Sequence, residues 1–166
     1  MKLLSLTTGK DVAIGAKLLA LTGEFLDHII EVKAIDAPDD QYPDGRIKFH
    51  IDKSSGIESW RQLHPRVLDC IFIEDDSLVS SVTYDNEKSV GATIKDILKK
   101  LRADHREVRT IYLGYREWDK IRDLDSQPDA PATGKAPPPK FSGVLIKKLQ
   151  YREKCLAFEH GPKIDG

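Results

Sequence analysis

The stretch Ser89-Val90-Gly91-Ala92-Thr93-Ile94-Lys95-Asp96-Ile97-Leu98-Lys99-Lys100-Leu101-Arg102-Ala103 decides the fold class. Val90, Ile94, Ile97, Leu98 and Leu101 recur at i, i+4, i+7, i+8 and i+11, the apolar stripe of a helix lying on a core. Ser89 stands where an N-terminal cap is wanted. Lys95, Lys99, Lys100 and Arg102, with Arg106 just beyond, occupy the other faces or the C-terminal end, where cations favour the helix dipole. The spacing therefore predicts an amphipathic helix over 90–103. Downstream the pattern changes. Val108-Arg109-Thr110-Ile111-Tyr112-Leu113-Gly114 reads as a strand, and residues 115–124 read as a short second helix with Trp118, Ile121 and Leu124 facing inward.

Working outward, the remaining elements are strands joined by turn chemistry. Met1–Leu6 reads as a first strand; Thr7-Thr8-Gly9-Lys10-Asp11 ends the apolar run too early for a signal peptide. Residues 8–21 read as a short helix capped by Thr8, with Val12, Ala13, Ala16, Leu19 and Ala20 at helical spacing. Residues 30–35 form a strand that meets Arg46–Asp52, where Ile47, Phe49 and Ile51 share one face. Asp44-Gly45 makes the reversal between them. A second hairpin is expected from 67–73 and 78–84 around Glu74-Asp75-Asp76-Ser77. A third closes the chain, from 141–149 and 154–158, with a bulge at Gly143. The fold class is therefore α+β: a mainly antiparallel sheet of two or three hairpins, one long amphipathic helix on one face, and a second short helix. The whole of 1–166 is expected to form a single domain with a flexible Pro-rich loop at 125–140.

Composition narrows the function classes. Of 166 residues, 40% are apolar and 32% charged, a globular balance. The longest apolar runs are four or five residues, too short to span a membrane. The chain reads as cytoplasmic when synthesised. Two cysteines, Cys70 and Cys155, lie in strand-like segments and read as reduced and buried, not as a disulfide scaffold. Residues 1–93 hold 10 Lys+Arg against 16 Asp+Glu, while residues 94–166 hold 16 against 11. These charges either mix on one surface or make a bipolar molecule that docks head to tail or on partners of opposite sign.

The residues that carry chemistry do not assemble into a known motif. Thr8-Gly9-Lys10 resembles the end of a phosphate-binding loop, but the earlier glycine falls at Leu4 and Asp11 replaces the required Ser or Thr. His28, His50, His64, His105 and His160 are scattered, none at a zinc spacing. Asp69, Glu74, Asp75 and Asp76 lack the alternation of a calcium loop. No cofactor, no metal and no catalytic residue is expected. An enzyme with an unrecognised site stays open as a minor reading, resting on Cys70 or the acidic turn near a histidine.

Two segments point to partners instead. Residues 125–140 hold five of the nine prolines and no large apolar side chain. This is either a solvated loop or an arm for a neighbouring subunit, with Pro128, Pro131, Pro137, Pro138, Pro139 and Lys140 as its contact residues. Lys95, Lys99, Lys100, Arg102, Arg106 and Arg109 form a candidate anion-binding face for nucleic acid. Interleaved carboxylates, a sequence pI near 6.5 and the lack of stacking aromatics favour an ion-paired solvated helix there.

Thr110-Ile111-Tyr112-Leu113-Gly114-Tyr115-Arg116-Glu117-Trp118, followed by Phe141-Ser142-Gly143-Val144-Leu145-Ile146, is similar to a strand–helix–strand–strand ending of small structural proteins of tailed bacteriophages. The resemblance covers residues 108–158. It implies a virion component and transfers no catalytic residue. The leading expectation is a non-enzymatic assembly protein acting through protein contacts, either with itself or with other subunits. A nucleic-acid-associated protein is the alternative.

Overall fold

The computed structural model describes residues 1–52, 58–83, 89–121 and 139–165. The chain is α+β with mixed sheets, and it divides into two compact units, Met1–Asp75 and Asp76–Gly166.

The first unit is built from short strands: β1 (Lys2–Ser5), β2 (Lys17–Leu19), β3 (Ile29–Glu31), β4 (Ala34–Asp36), β5 (Arg46–Asp52), β6 (Glu58–Leu63) and β7 (Cys70–Ile73). They form three small antiparallel sheets, β1–β7, β2–β3 and β4–β5–β6. Leu3, Ala20, Ile30, Val32, Ile47, Phe49, Leu68 and Cys70 make their core. The expected reversal at Asp44-Gly45 is present, and Ile35 pairs with Ile47 across it.

Three readings of this region change. Residues 8–21 do not form a helix. Gly15 sits at φ 94°, outside the helical region, and its N–H goes to the Val32 carbonyl at 2.7 Å. A cross-strand partner has replaced the helical one, and β2 follows. The strand read over 30–35 is two strands, because Val32 N–H donates to Ala16 and Lys33 N–H donates to Lys48. Consecutive amides thus hand the chain from one ladder to another. The hairpin read over 67–84 is also absent. Pro65–Leu68 is a 3₁₀ turn closed by Asp69 in the left-handed region, and β7 then pairs with β1.

The second unit contains β8 (Leu78–Ser81), α1 (Val90–Ala103), β9 (Val108–Gly114), α2 (Tyr115–Ile121), β10 (Lys140–Phe141), β11 (Val144–Leu149) and β12 (Leu156–His160). The sheet order is β10–β11–β9–β12–β8. α1 forms where the stripe requires it, and Ser89 Oγ accepts the Ala92 N–H at 3.1 Å. Val90, Ile94 and Leu98 are buried against Ile111, Leu113, Phe141, Val144, Ile146, Leu156 and Phe158, with Ile97 and Leu101 packed at the margin.

The closing hairpin is replaced by a different topology. β11 runs parallel to β9 on one side, and β12 runs antiparallel to β9 on the other. Ile111, Tyr112 and Leu113 are all buried, so β9 carries a continuous apolar run suited to a central strand. The tight turn lies instead between β10 and β11. Phe141 pairs with Val144, and Ser142 and Gly143 both have positive φ, as a type I′ turn requires.

The 150–155 segment, which carries the chain from β11 to β12, is held by the start of α2. The N–H groups of Gly114, Tyr115 and Arg116 donate to the carbonyls of Cys155, Arg152 and Glu153 at 2.9, 2.9 and 3.1 Å. These are the donors that a helix N-terminus leaves unpaired. Glu117 is fully buried at 0% exposure, and its Oε2 accepts the Cys155 N–H at 3.1 Å. Leu124 lies outside the described residues.

Gly114 allows this close approach. A Cβ there would meet Cys155 N at 2.6 Å, Glu117 Oε2 at 2.7 Å and Glu153 O at 2.9 Å. Two of the three are backbone atoms, which cannot swing aside. Gly114→Ala is therefore expected to destabilise the protein by about 3 kcal/mol, lowering Tm by roughly 6–12 °C in a calorimetric scan. Gly161→Ala, which meets only the Arg109 side chain at 3.4 Å, should be tolerated.

Candidate interaction surfaces

The six cations of the anion-binding face separate into two groups. Lys95, Lys99 and Arg102 line a groove of about 320 Å³, together with Leu98 of α1 and Ser142 of the β10–β11 turn. Arg102 Nη2 donates to the Ser142 carbonyl at 3.3 Å, which fixes the guanidinium across the groove. Lys100 is exposed and does not line it. Arg106 is spent on Asp104, with Nε 2.9 Å from Oδ2, and Lys163 lies 3.2 Å from the other oxygen. These two cations hold the Asp104 carboxyl below its usual range.

Arg109 belongs to a polar network instead. The register of β12 on β9 shifts between Glu159 and His160, so that Glu159 faces Thr110 and His160 faces Val108, with Arg109 as the extra residue. Arg109 Nη1 donates to Asp76 at 2.6 Å and to Ser77 Oγ at 2.7 Å, and Nη2 reaches the second Asp76 oxygen at 3.2 Å. Ser77 then donates to Glu159 at 2.9 Å, and Tyr112 donates to the other Glu159 oxygen at 3.3 Å. Asp76, chiefly through its hydrogen bond, raises the Arg109 pKa above its already high value.

Of the proline-rich arm, Pro128, Pro131, Pro137 and Pro138 lie outside the described residues. Pro139 is half-buried, and its carbonyl accepts the Ile146 N–H at 3.0 Å, while Lys140 is exposed in β10. The end of the arm is thus tied into the edge of the sheet.

The residues that an enzyme reading needs are engaged separately. Cys70 Sγ donates to the Leu68 carbonyl at 3.2 Å, and burial, then the Asp69 charge, push its thiol up to about 12. In the acidic turn, Asp75 pairs with the N-terminal amine at 3.2 Å and Asp76 with Arg109. His64 donates from Nε2 to Asp44 at 3.0 Å and caps the 3₁₀ turn by accepting the Arg66 N–H at 3.2 Å. His160 donates from Nδ1 to the Gly161 carbonyl at 3.0 Å, so Nε2 accepts from Ser80 Oγ at 2.8 Å. That pair has the direction of an activated hydroxyl. Its third member, however, is a neutral carbonyl, which cannot stabilise an imidazolium as a carboxylate would. Among the described residues, no three metal-ligating side chains are gathered, and no helix is long and apolar enough to cross a membrane.

A further surface escaped the sequence reading. Leu19 and Ile29 are directly opposed across β2 and β3, so they share a face, and they are 50% and 70% exposed. Leu26, in the loop joining these strands, is 49% exposed. The next pair on that face, Lys17 and Glu31, is charged and opposed. No protein family, curated protein or solved structure matches the chain.

The Cys70 environment carries a pH signature. Between pH 9.0 and about 12 the unfolded thiol is ionised while the native thiol keeps its proton. The unfolded state then binds fewer protons, so stability falls as pH rises, by at most about 1.4 kcal/mol per unit. Urea titrations across that window should show a steeper decline for the wild type than for Cys70→Ala. Native Cys70 should also resist Ellman's reagent at pH 8 until the protein is unfolded.

Proposed function

We propose that this protein is a non-enzymatic assembly component that associates with a second copy of itself through the outer face of β2–β3. The observation that carries this reading is the exposed Leu19–Ile29 cross-strand pair. Large apolar side chains opposed on an open face lose water-exposed area only when another surface covers them.

The face is also self-complementary. A two-fold axis running along the hairpin, between its strands, brings β2 of one copy over β3 of the other. Leu19 then stacks on Ile29 of the second copy, and Lys17 meets Glu31 of the second copy. This is the reciprocal pattern of an isologous interface. Within one chain, Glu31 is bound to Lys33 at 2.8 Å, so the charged rim already has its register. The setting implied by the resemblance of residues 108–158 is a virion, where weak contacts between many copies add up.

Sedimentation velocity tests the reading. The wild type should gain mass as concentration rises, and Ile29→Glu should remain monomeric with an unchanged circular dichroism spectrum. Lys17→Glu should weaken association, and adding Glu31→Lys to it should restore most of the loss. A wild type that stays monomeric at high concentration defeats the reading.

A further inference from the structure

We propose that the groove between α1 and the β10–β11 turn binds the phosphate backbone of nucleic acid, independent of base sequence. This goes beyond the assembly reading and rests on other residues. Among the described residues the groove is lined by three cations and one buried apolar side chain, Leu98, with Ser142 opposite. Lys95, Lys99 and Arg102 stand at i, i+4 and i+7, so their Cα atoms rise about 6 Å and then about 10 Å along one flank of the helix. Like charges at that spacing repel one another, an arrangement that a bound polyanion relieves.

These cations are uncommitted, as Lys100 outside the groove also is. Lys95, Lys99 and Arg102 make no ion pair with a carboxylate among the described residues, whereas Arg106, Arg109 and Lys163 each do. Arg102 uses one of its five N–H groups on the Ser142 carbonyl, and the others remain for a ligand. That single bond aims the guanidinium without neutralising it, a pre-organised fork suited to phosphate oxygens.

The groove's composition selects the type of polyanion. Among the described residues no aromatic side chain lines it, so they offer bases nothing to stack on and recognition falls to the backbone. A nucleic-acid backbone presents a charge at each repeat of a covalent chain. An acidic peptide must immobilise a separate Asp or Glu side chain for every contact, which costs conformational entropy. The groove therefore fits phosphates in series better than side-chain carboxylates.

Fluorescence anisotropy of a short labelled DNA duplex, titrated from about 50 to about 200 mM salt, tests this. Three neutralised phosphates give a slope of log K against log salt of about −2.7. Lys95→Gln and Lys99→Gln should each reduce its magnitude by about 0.9. Lys95→Glu/Lys99→Glu/Arg102→Glu should abolish binding with an unchanged circular dichroism spectrum. Lys100→Gln, outside the groove, should leave the slope where it was. Polyglutamate of matched charge should compete poorly. Absence of binding at low salt, a slope indifferent to the groove variants, or equal displacement by polyglutamate overturns the proposal.

Discussion

The second unit depends on how the chain is tied across the end of β9. A strand flanked by a parallel neighbour on one side and an antiparallel one on the other cannot be reached by simple hairpins. The 150–155 segment must carry the chain from β11 to β12, past the C-terminal end of β9, and its carbonyls need partners. The first three amides of the Gly114–Arg116 corner supply them. Glu117 completes the knot by taking the Cys155 N–H within the protein interior. Burying a carboxylate is costly. Here the Cys155 N–H gives the buried side chain a hydrogen-bond partner, which offsets part of that cost.

The same use of polar groups recurs elsewhere. Glu159 joins Ser77, 82 residues away, and Tyr112, 47 residues away, to β12. In the first unit, Thr7 donates to Asp69 across 62 residues. Each is a buried or part-buried bond between segments remote in sequence, and leaving one partner unpaired costs more than the bond itself contributes. Buried acids in this protein act as staples between segments distant in the chain.

How much of this could be read in advance depends on whether the signal is local. α1 was legible to the residue because a cap, a period and a basic end all lie within one segment, and β9 was legible as an unbroken apolar run. Strand partners were legible where Asp44-Gly45 joins β4 to β5, and not elsewhere. The apolar runs Cys70–Ile73 and Leu156–Phe158 fit several neighbours, and only packing chooses between them. Glu117 was masked by its charge: at i, i+4 with Ile121 it lies on the inward side of the helix, yet nothing local names the Cys155 amide as its partner. The cationic face was visible as composition, yet the groove of three, the exposed Lys100 and the neutralised Arg106 and Arg109 could be told apart only once Asp104 and Asp76 were placed beside the last two. Leu19 was hidden by the helical reading of 8–21. Once that segment is a strand, the period of two turns Leu18 inward and Leu19 out.

The claim that the buried acid and its turn hold the second unit together is tested most directly by residue-resolved native-state hydrogen exchange. The amides of Tyr115, Arg116 and Cys155 should exchange with the same opening free energy as Ile111 and Leu113 in β9, because the turn and the central strand open as one cooperative body. Exchange at these three amides as rapid as in the exposed turn at Gln150–Tyr151, with β9 still fully protected, would show that the clasp is incidental to the fold.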